Sequence, residues 1–136
     1  MIKKLIKSKR GDGYIDVVVA VLVTTILLIF ALNIFNLFTM KQEMDYFAKE
    51  MVEVACAEGN TSNNEVYSRM GEIDNELGYL IDFSWETDYY KNNCVQLGDT
   101  IKITAWYRTY VKGFGIFKIP VTLTVTHSGV SEHYWK

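Results

Sequence analysis

The sequence predicts an α+β protein on a helical stalk: a long N-terminal transmembrane and amphipathic helix, a second helix, and a three-stranded antiparallel sheet. Three features predict it. Residues 17–40 form an uncharged apolar run, residues 41–77 place apolar side chains three and four apart, and beyond Gly78 that spacing drops to two.

The run VVVAVLVTTILLIFALNIFNLFTM is 24 residues long and contains no Lys, Arg, Asp, Glu, Gly or Pro. As a helix it rises about 36 Å, enough to cross a hydrocarbon core of about 30 Å with some tilt. A helix in water needs a polar face, and here only Thr24, Thr25, Asn33, Asn36 and Thr39 interrupt the apolar surface. The run therefore reads as a single membrane span. Thr24, Thr25, Asn33 and Asn36 can bond to a neighbouring helix; equally, the Thr hydroxyls can bond back to their own helix and the two Asn lie near the outer end, where water is close.

Charge gives the orientation. The formal net charge of −2 divides into +5 over residues 1–11, from Lys3, Lys4, Lys7, Lys9 and Arg10, and −7 over residues 12–136. Short basic flanks stay on the cytoplasmic side, so the N-terminus is expected inside and the C-terminal domain outside. The cluster abuts an apolar span and has no interleaved aromatics, so no nucleic-acid partner is expected. After the leader and the span, about 95 of the 136 residues remain, enough for one small domain.

Over residues 41–58 the helix is expected to continue without a break. Met40, Met44, Phe47, Ala48, Met51, Val52 and Ala55 make one face, and Lys41, Glu43, Asp45, Lys49, Glu50 and Glu53 the other. Gly59 is the expected C-terminal cap and residues 60–64 a loop. A second helix is expected over residues 63–77, with Ser62 and Glu65 as a capping box, Val66, Met70, Ile73 and Leu77 as its apolar stripe, and Gly78 as its stop. Then Tyr79, Ile81, Phe83, Trp85, Thr87 and Tyr89 alternate with polar residues, which predicts a first strand, and Lys91-Asn92-Asn93 a turn. A second strand is expected over residues 100–111, with Ile101, Ile103, Ala105, Tyr107 and Val111 on one side. In a third, Phe117, Ile119, Val121, Leu123 and Val125 face in, while Pro120 marks an edge or bulge. The helices would cover one face of this meander, and Tyr134 and Trp135 would either dock on the domain or meet a partner.

The N-terminal junction carries the most specific pattern. Lys9-Arg10-Gly11 ends a short basic leader, and Asp16 stands just ahead of the apolar run. A secretory signal peptide would need a shorter apolar core followed by a small-residue cleavage site. Over residues 7–58 the chain instead resembles the type IV pilin-like proteins, in particular the TadE-like pseudopilins of tight-adherence systems. Their leaders end in Gly, are removed on the cytoplasmic side, and leave an acidic residue at the fifth mature position. The resemblance implies processing between Gly11 and Asp12, which places Asp16 fifth; a cut after Gly13 would place it third. Asp16 stands where the family more often has Glu, and the early Pro common in the family's span is missing.

The resemblance implies a pilin-like layout: leader 1–11, continuous helix 12–58, and an extracytoplasmic α+β domain 59–136. It also implies partners, namely a prepilin peptidase, other pilin-like subunits and membrane lipid, at a bacterial cell membrane or in a surface filament. A trimmed chain exposes a new α-amino group at Asp12, to which a neighbour's Asp16 can pair during subunit assembly. Asp16 can equally sit hydrated at headgroup level. The competing expectation is an uncleaved single-pass anchor whose outer domain binds a partner in a secretion or conjugation complex.

Other chemistry is sparse. Cys56 and Cys94 permit one disulfide if the domain is exported, or stand as two buried thiols, and the sequence decides neither. His127 and His133 are the only histidines, and Ser131-Glu132-His133 is a contiguous tail segment rather than a convergent triad. No catalytic residue, metal site, cofactor or small-molecule substrate is expected.

Overall fold

The computed structural model describes residues 12–113 and 117–136. Helix α1 runs over Asp12–Glu58, 47 residues without interruption, or about 70 Å. It is followed by α2 (Asn64–Leu77) and the strands β1 (Asp82–Thr87), β2 (Thr100–Gly113) and β3 (Phe117–Val130). The strands form one antiparallel sheet in the order β1-β2-β3, so the α+β architecture expected from the sequence is the one observed.

Helix α1 is two helices in one physical sense. Along its C-terminal part Met44, Phe47, Ala48, Met51, Val52 and Ala55 are buried, the face that the spacing predicts. They pack on Ile101, Ile103 and Ala105 of β2 and Val125 of β3, with the Phe47 and Phe83 rings 5.7 Å apart. The N-terminal part meets none of this core, and from Gly13 to Thr25 every side chain is exposed. The helix ends at Gly59, whose φ of 58° lies in the left-handed region, and the Asn60 N–H reaches back to the Ala55 carbonyl at 3.2 Å. That is a Schellman closure, and only glycine enters it without strain. Gly59 also leaves room for the tail: a Cβ there would lie 2.5 Å from the Cβ of His133.

The cap of α2 differs from the expectation. Asn63, not Ser62, is the N-cap, and its Oδ1 accepts from the Val66 N–H at 2.9 Å. The Ser62 N–H is instead taken by Asn60 Oδ1 at 2.7 Å, which turns the linker and moves the helix start one residue on. Asn63 Nδ2 also donates to Glu58 Oε2, so one side chain links the end of α1 to the start of α2. Arg69 fastens the pair further along, with Glu50 Oε2 at 2.7 Å and Glu72 Oε2 at 2.9 Å; these carboxylates raise its already high pKa. Val66 and Ile73 are buried, Met70 and Leu77 are half-buried, and Gly78 caps the helix with φ 77°.

Asp74, in the last turn of α2, is poorly placed. Its Oδ1 is shielded from solvent without a hydrogen-bond partner, and burial raises its pKa above the ordinary 3.8. A negative charge at a helix C-terminus also opposes the helix dipole. Above the folded-state pKa the carboxylate is ionised whether the chain is folded or not, and the fold bears the desolvation cost. As pH falls through that pKa the folded carboxyl takes a proton and the cost is relieved. Asp74→Asn should therefore stabilise the domain at pH 7 by up to about 1 kcal/mol. The advantage should fade as pH falls towards the unfolded value near 3.8, which urea titrations across that range will read.

Strand β1 is shorter than its alternating pattern, pairing with β2 only over Asp82–Thr87, and the Tyr79 hydroxyl donates to Glu43 of α1 at 2.7 Å. Burial, and then that bond, raise the Tyr79 pKa. The expected turn at Lys91-Asn92-Asn93 is present, with both asparagines at positive φ and the Cys94 N–H bonded to the Lys91 carbonyl. Pro120 lies opposite Tyr110 on β3, an edge strand, as expected.

In β3 the inward set divides. Val121, Leu123 and Val125 are covered, but Phe117 and Ile119, on the same face, are 67% and 57% exposed. The β2–β3 ladder continues through Val111↔Ile119 to Gly113↔Phe117 and outruns the packed part of the domain. Its far end lies beside the apolar part of α1, where Ile29, Phe30 and Asn33 face Val111, Lys112, Phe117 and Ile119 across a groove of about 210 Å³.

Candidate functional site

The first candidate is the bare part of α1. Four of its polar side chains bond back to the helix: Thr24 Oγ1 donates to the Ala20 carbonyl at 2.8 Å, Thr25 Oγ1 to Val21 at 2.7 Å, Asn33 Nδ2 to Ile29 at 2.9 Å and Thr39 Oγ1 to Phe35 at 3.1 Å. These four bonds are of the kind by which Thr and Asn return to their own helix. Apart from Asp16, Asn36 and the back-bonded Thr side chains, the outward surface is apolar. The helix is long and apolar enough to cross a membrane, and its most apolar stretch is wholly unburied. It fits a single-pass membrane anchor.

Asp12 is the first residue of α1, and Gly11 lies outside the described residues. Asp16 falls one turn into the helix and is exposed. It is also the only acidic residue between Gly13 and Met40, so any charged contact along that length of helix passes through it.

The two cysteines stand as free thiols in the structure. Cys56 is buried where β3 crosses α1: a Cβ on Gly129 would lie 2.7 Å from its Sγ, so this close crossing depends on glycine. Burial, and secondarily Glu132, raise the Cys56 pKa. Cys94 is half-buried, and its Sγ accepts from Asn60 Nδ2 at 3.4 Å. The two sulfurs thus belong to different local settings, one under β3 and one at the turn before β2.

The histidines are structurally placed. His127 Nε2 lies 2.7 Å from Asp45 Oδ1, joining β3 to α1, a pair separated by 82 residues that no local sequence pattern signals. His127 and Cys56 border one groove of about 430 Å³. A thiol pushed up by burial is the opposite of an activated thiolate, so this pair lacks the electrostatics of a nucleophile. Ser131 is buried and donates to the Val95 carbonyl at 3.0 Å, while the His133 ring packs at a tilt against Trp135 with centroids 4.4 Å apart. Ser131, Glu132 and His133 therefore do not converge on one point. Among the described residues no group of three or more His, Cys, Asp or Glu is arranged to hold a metal ion.

The tail docks. Trp135 Nε1 donates to the Gly59 carbonyl at 3.0 Å, and Gln96 receives the Trp135 N–H and donates to its carbonyl. Tyr134 points outward and is exposed.

Together these elements define a class of protein: a small α+β domain built directly onto a helix of membrane-anchor length. Within that class the chain belongs to the DUF4320 family, described as a domain of unknown function, whose model matches residues 21–136. No curated protein and no solved structure matches it.

Proposed function

We propose that the chain is a pilin-like subunit, a TadE-like pseudopilin or minor pilin, of a tight-adherence or type IV pilus-related assembly or secretion system. It is trimmed by a prepilin peptidase between Gly11 and Asp12 and held with its fellows through α1. The observation that carries this reading is the single uninterrupted helix, bare from Gly13 to Thr25 and core-forming from Met44 to Ala55. A force applied to the domain reaches the apolar segment without a hinge. Neighbouring apolar helices can replace lipid around such a segment with little loss, because the transfer is between two apolar surroundings. The Gly11, Asp12 and Asp16 spacing supports the same reading. The expected setting is the cell membrane, with the N-terminus cytoplasmic and the domain outside.

A second reading, an uncleaved anchor with a partner-binding outer domain, is favoured by one observation. The β2–β3 hairpin covers one side of α1 near Ile29 and Asn33, a surface that close helical packing of subunits would use.

The mass of the N-terminus in membrane-extracted protein separates the two: a start at Asp12 supports the first, an intact Met1 the second. Gly11→Ala should abolish trimming, leaving only the full-length mass. If that variant still assembles normally, the pilin-like reading fails.

A further inference from the structure

The β2–β3 hairpin has a charge unlike the rest of the domain. Residues 100–131 contain Lys102, Arg108, Lys112 and Lys118 and no Asp or Glu, although the chain has 16 acidic residues. Lys112 and Lys118 are directly opposite one another across the ladder, and both are exposed. Like charges in that relation repel. An anion beside them removes the repulsion.

Apolar side chains accompany these cations. Tyr110, Phe117 and Ile119 are 51%, 67% and 57% exposed, and the last two border the groove against Ile29, Phe30 and Asn33. On α1 the partly covered positions begin at Ile26 and recur at Ile29, Asn33, Leu37 and Met40, the stripe that faces the hairpin. The paired ends of β2 and β3, at Val111, Lys112, Phe117 and Ile119, therefore stand alongside the apolar stretch rather than above it.

This placement fixes a depth. If all of residues 17–40 lay in hydrocarbon, these strand ends would sit about 10–16 Å below the interface, counting 1.5 Å per residue back from Met40 to Asn33 and Ile29. Strand β3 is an edge strand, and β2 is paired with β1 only through Trp106. Unpaired backbone groups on such edges are not tolerated against lipid tails. These strand ends must instead lie at the interface, which ends the hydrocarbon near Asn33. Residues 17–33 then span about 25 Å, still within the working range for a transmembrane helix.

We propose that the paired ends of β2 and β3, around Lys112 and Lys118, form a membrane-surface anchor. Arg108, Lys112 and Lys118 engage the phosphates of anionic lipids in the leaflet on the domain's side, while Tyr110, Phe117 and Ile119 lie at the headgroup–acyl boundary. The proposal rests on α1 crossing the membrane, and holds whether or not the leader is removed.

The test uses the full chain in vesicles of phosphatidylcholine and phosphatidylglycerol, with the photo-crosslinker p-benzoylphenylalanine in place of Phe117, Leu27 or Leu97. Leu27 is in the apolar segment, and Leu97 is exposed near the opposite end of the sheet. Lipid adducts at positions 117 and 27 but not at 97 are the expected result. The adduct at 117 should fall about tenfold in a Lys112→Glu, Lys118→Glu double variant and in vesicles of phosphatidylcholine alone. Lipid adducts at 27 without any at 117, an adduct at 117 to a second protein copy, or a yield at 117 indifferent to charge would each overturn the proposal. No lipid adduct at 27 would overturn the membrane-spanning reading and this one with it.

Discussion

Phe47→Ala should lower the stability of the domain by about 3–5 kcal/mol while leaving the N-terminal segment of α1 helical. Phe47 is fully buried and packs against Phe83 at the centre of the helix–sheet interface. The cost is a large share of the roughly 5–15 kcal/mol that holds a small domain together. The asymmetry follows from the two halves of α1. Residues 44–55 owe their order to the sheet, whereas the helix from Gly13 to Thr25 has no core contact to lose. Hydrogen exchange in detergent or nanodiscs reads both at once. Amides of α2, β2 and β3 should lose protection in the variant, and those of the apolar segment should keep it. Phe47→Leu, which retains most of the buried volume, should cost less than about 1.5 kcal/mol. Equal loss of protection along the whole of α1 would show that the two halves are one cooperative unit.

The parts of this fold that were legible in the sequence are those whose signal is local. The change of period after Gly78 announces the sheet. The Met44, Phe47, Met51 and Ala55 spacing announces the buried face, and Gly59 and Gly78 stop the two helices through backbone conformations that glycine adopts freely. The errors arise where two local rules compete or where the deciding contact is distant. Ser62 and Asn63 are both good caps, and the bond from the Ser62 N–H to Asn60 settled the choice. Phe117 and Ile119 follow the inward pattern faithfully, but alternation says which side of a strand a residue occupies and nothing of how far the covering layer extends. The His127–Asp45 pair joins positions 82 apart, beyond any periodicity. Of the candidate site, Asp16 was legible because a single carboxylate beside an apolar run is conspicuous. The hairpin was not, since only the fold places its lysines level with Asn33.

On the pilin-like reading, Asp16→Ala should reduce the sedimentable polymer at least tenfold, about 1.4 kcal/mol per contact, without changing the stability of the single chain. Asp16 is exposed and remote from the core, so its removal takes nothing from the fold. Its value would arise between subunits. Trimming creates an ammonium group at Asp12, and a neighbour's carboxylate beside it forms a charge-assisted hydrogen bond worth about 1.5–3 kcal/mol net. Repeated at every step of a helical array, that contact also sets the stagger, because the remaining surface of the segment is apolar and slides easily. Asp16→Glu keeps the charge and should retain most of the polymer; Asp16→Asn keeps the size and should not. N-terminal mass measured in parallel separates loss of packing from loss of processing. A trimmed Asp16→Ala chain that polymerises as well as the parent would remove the carboxylate from the assembly and leave the apolar surface of α1 as the whole of the contact.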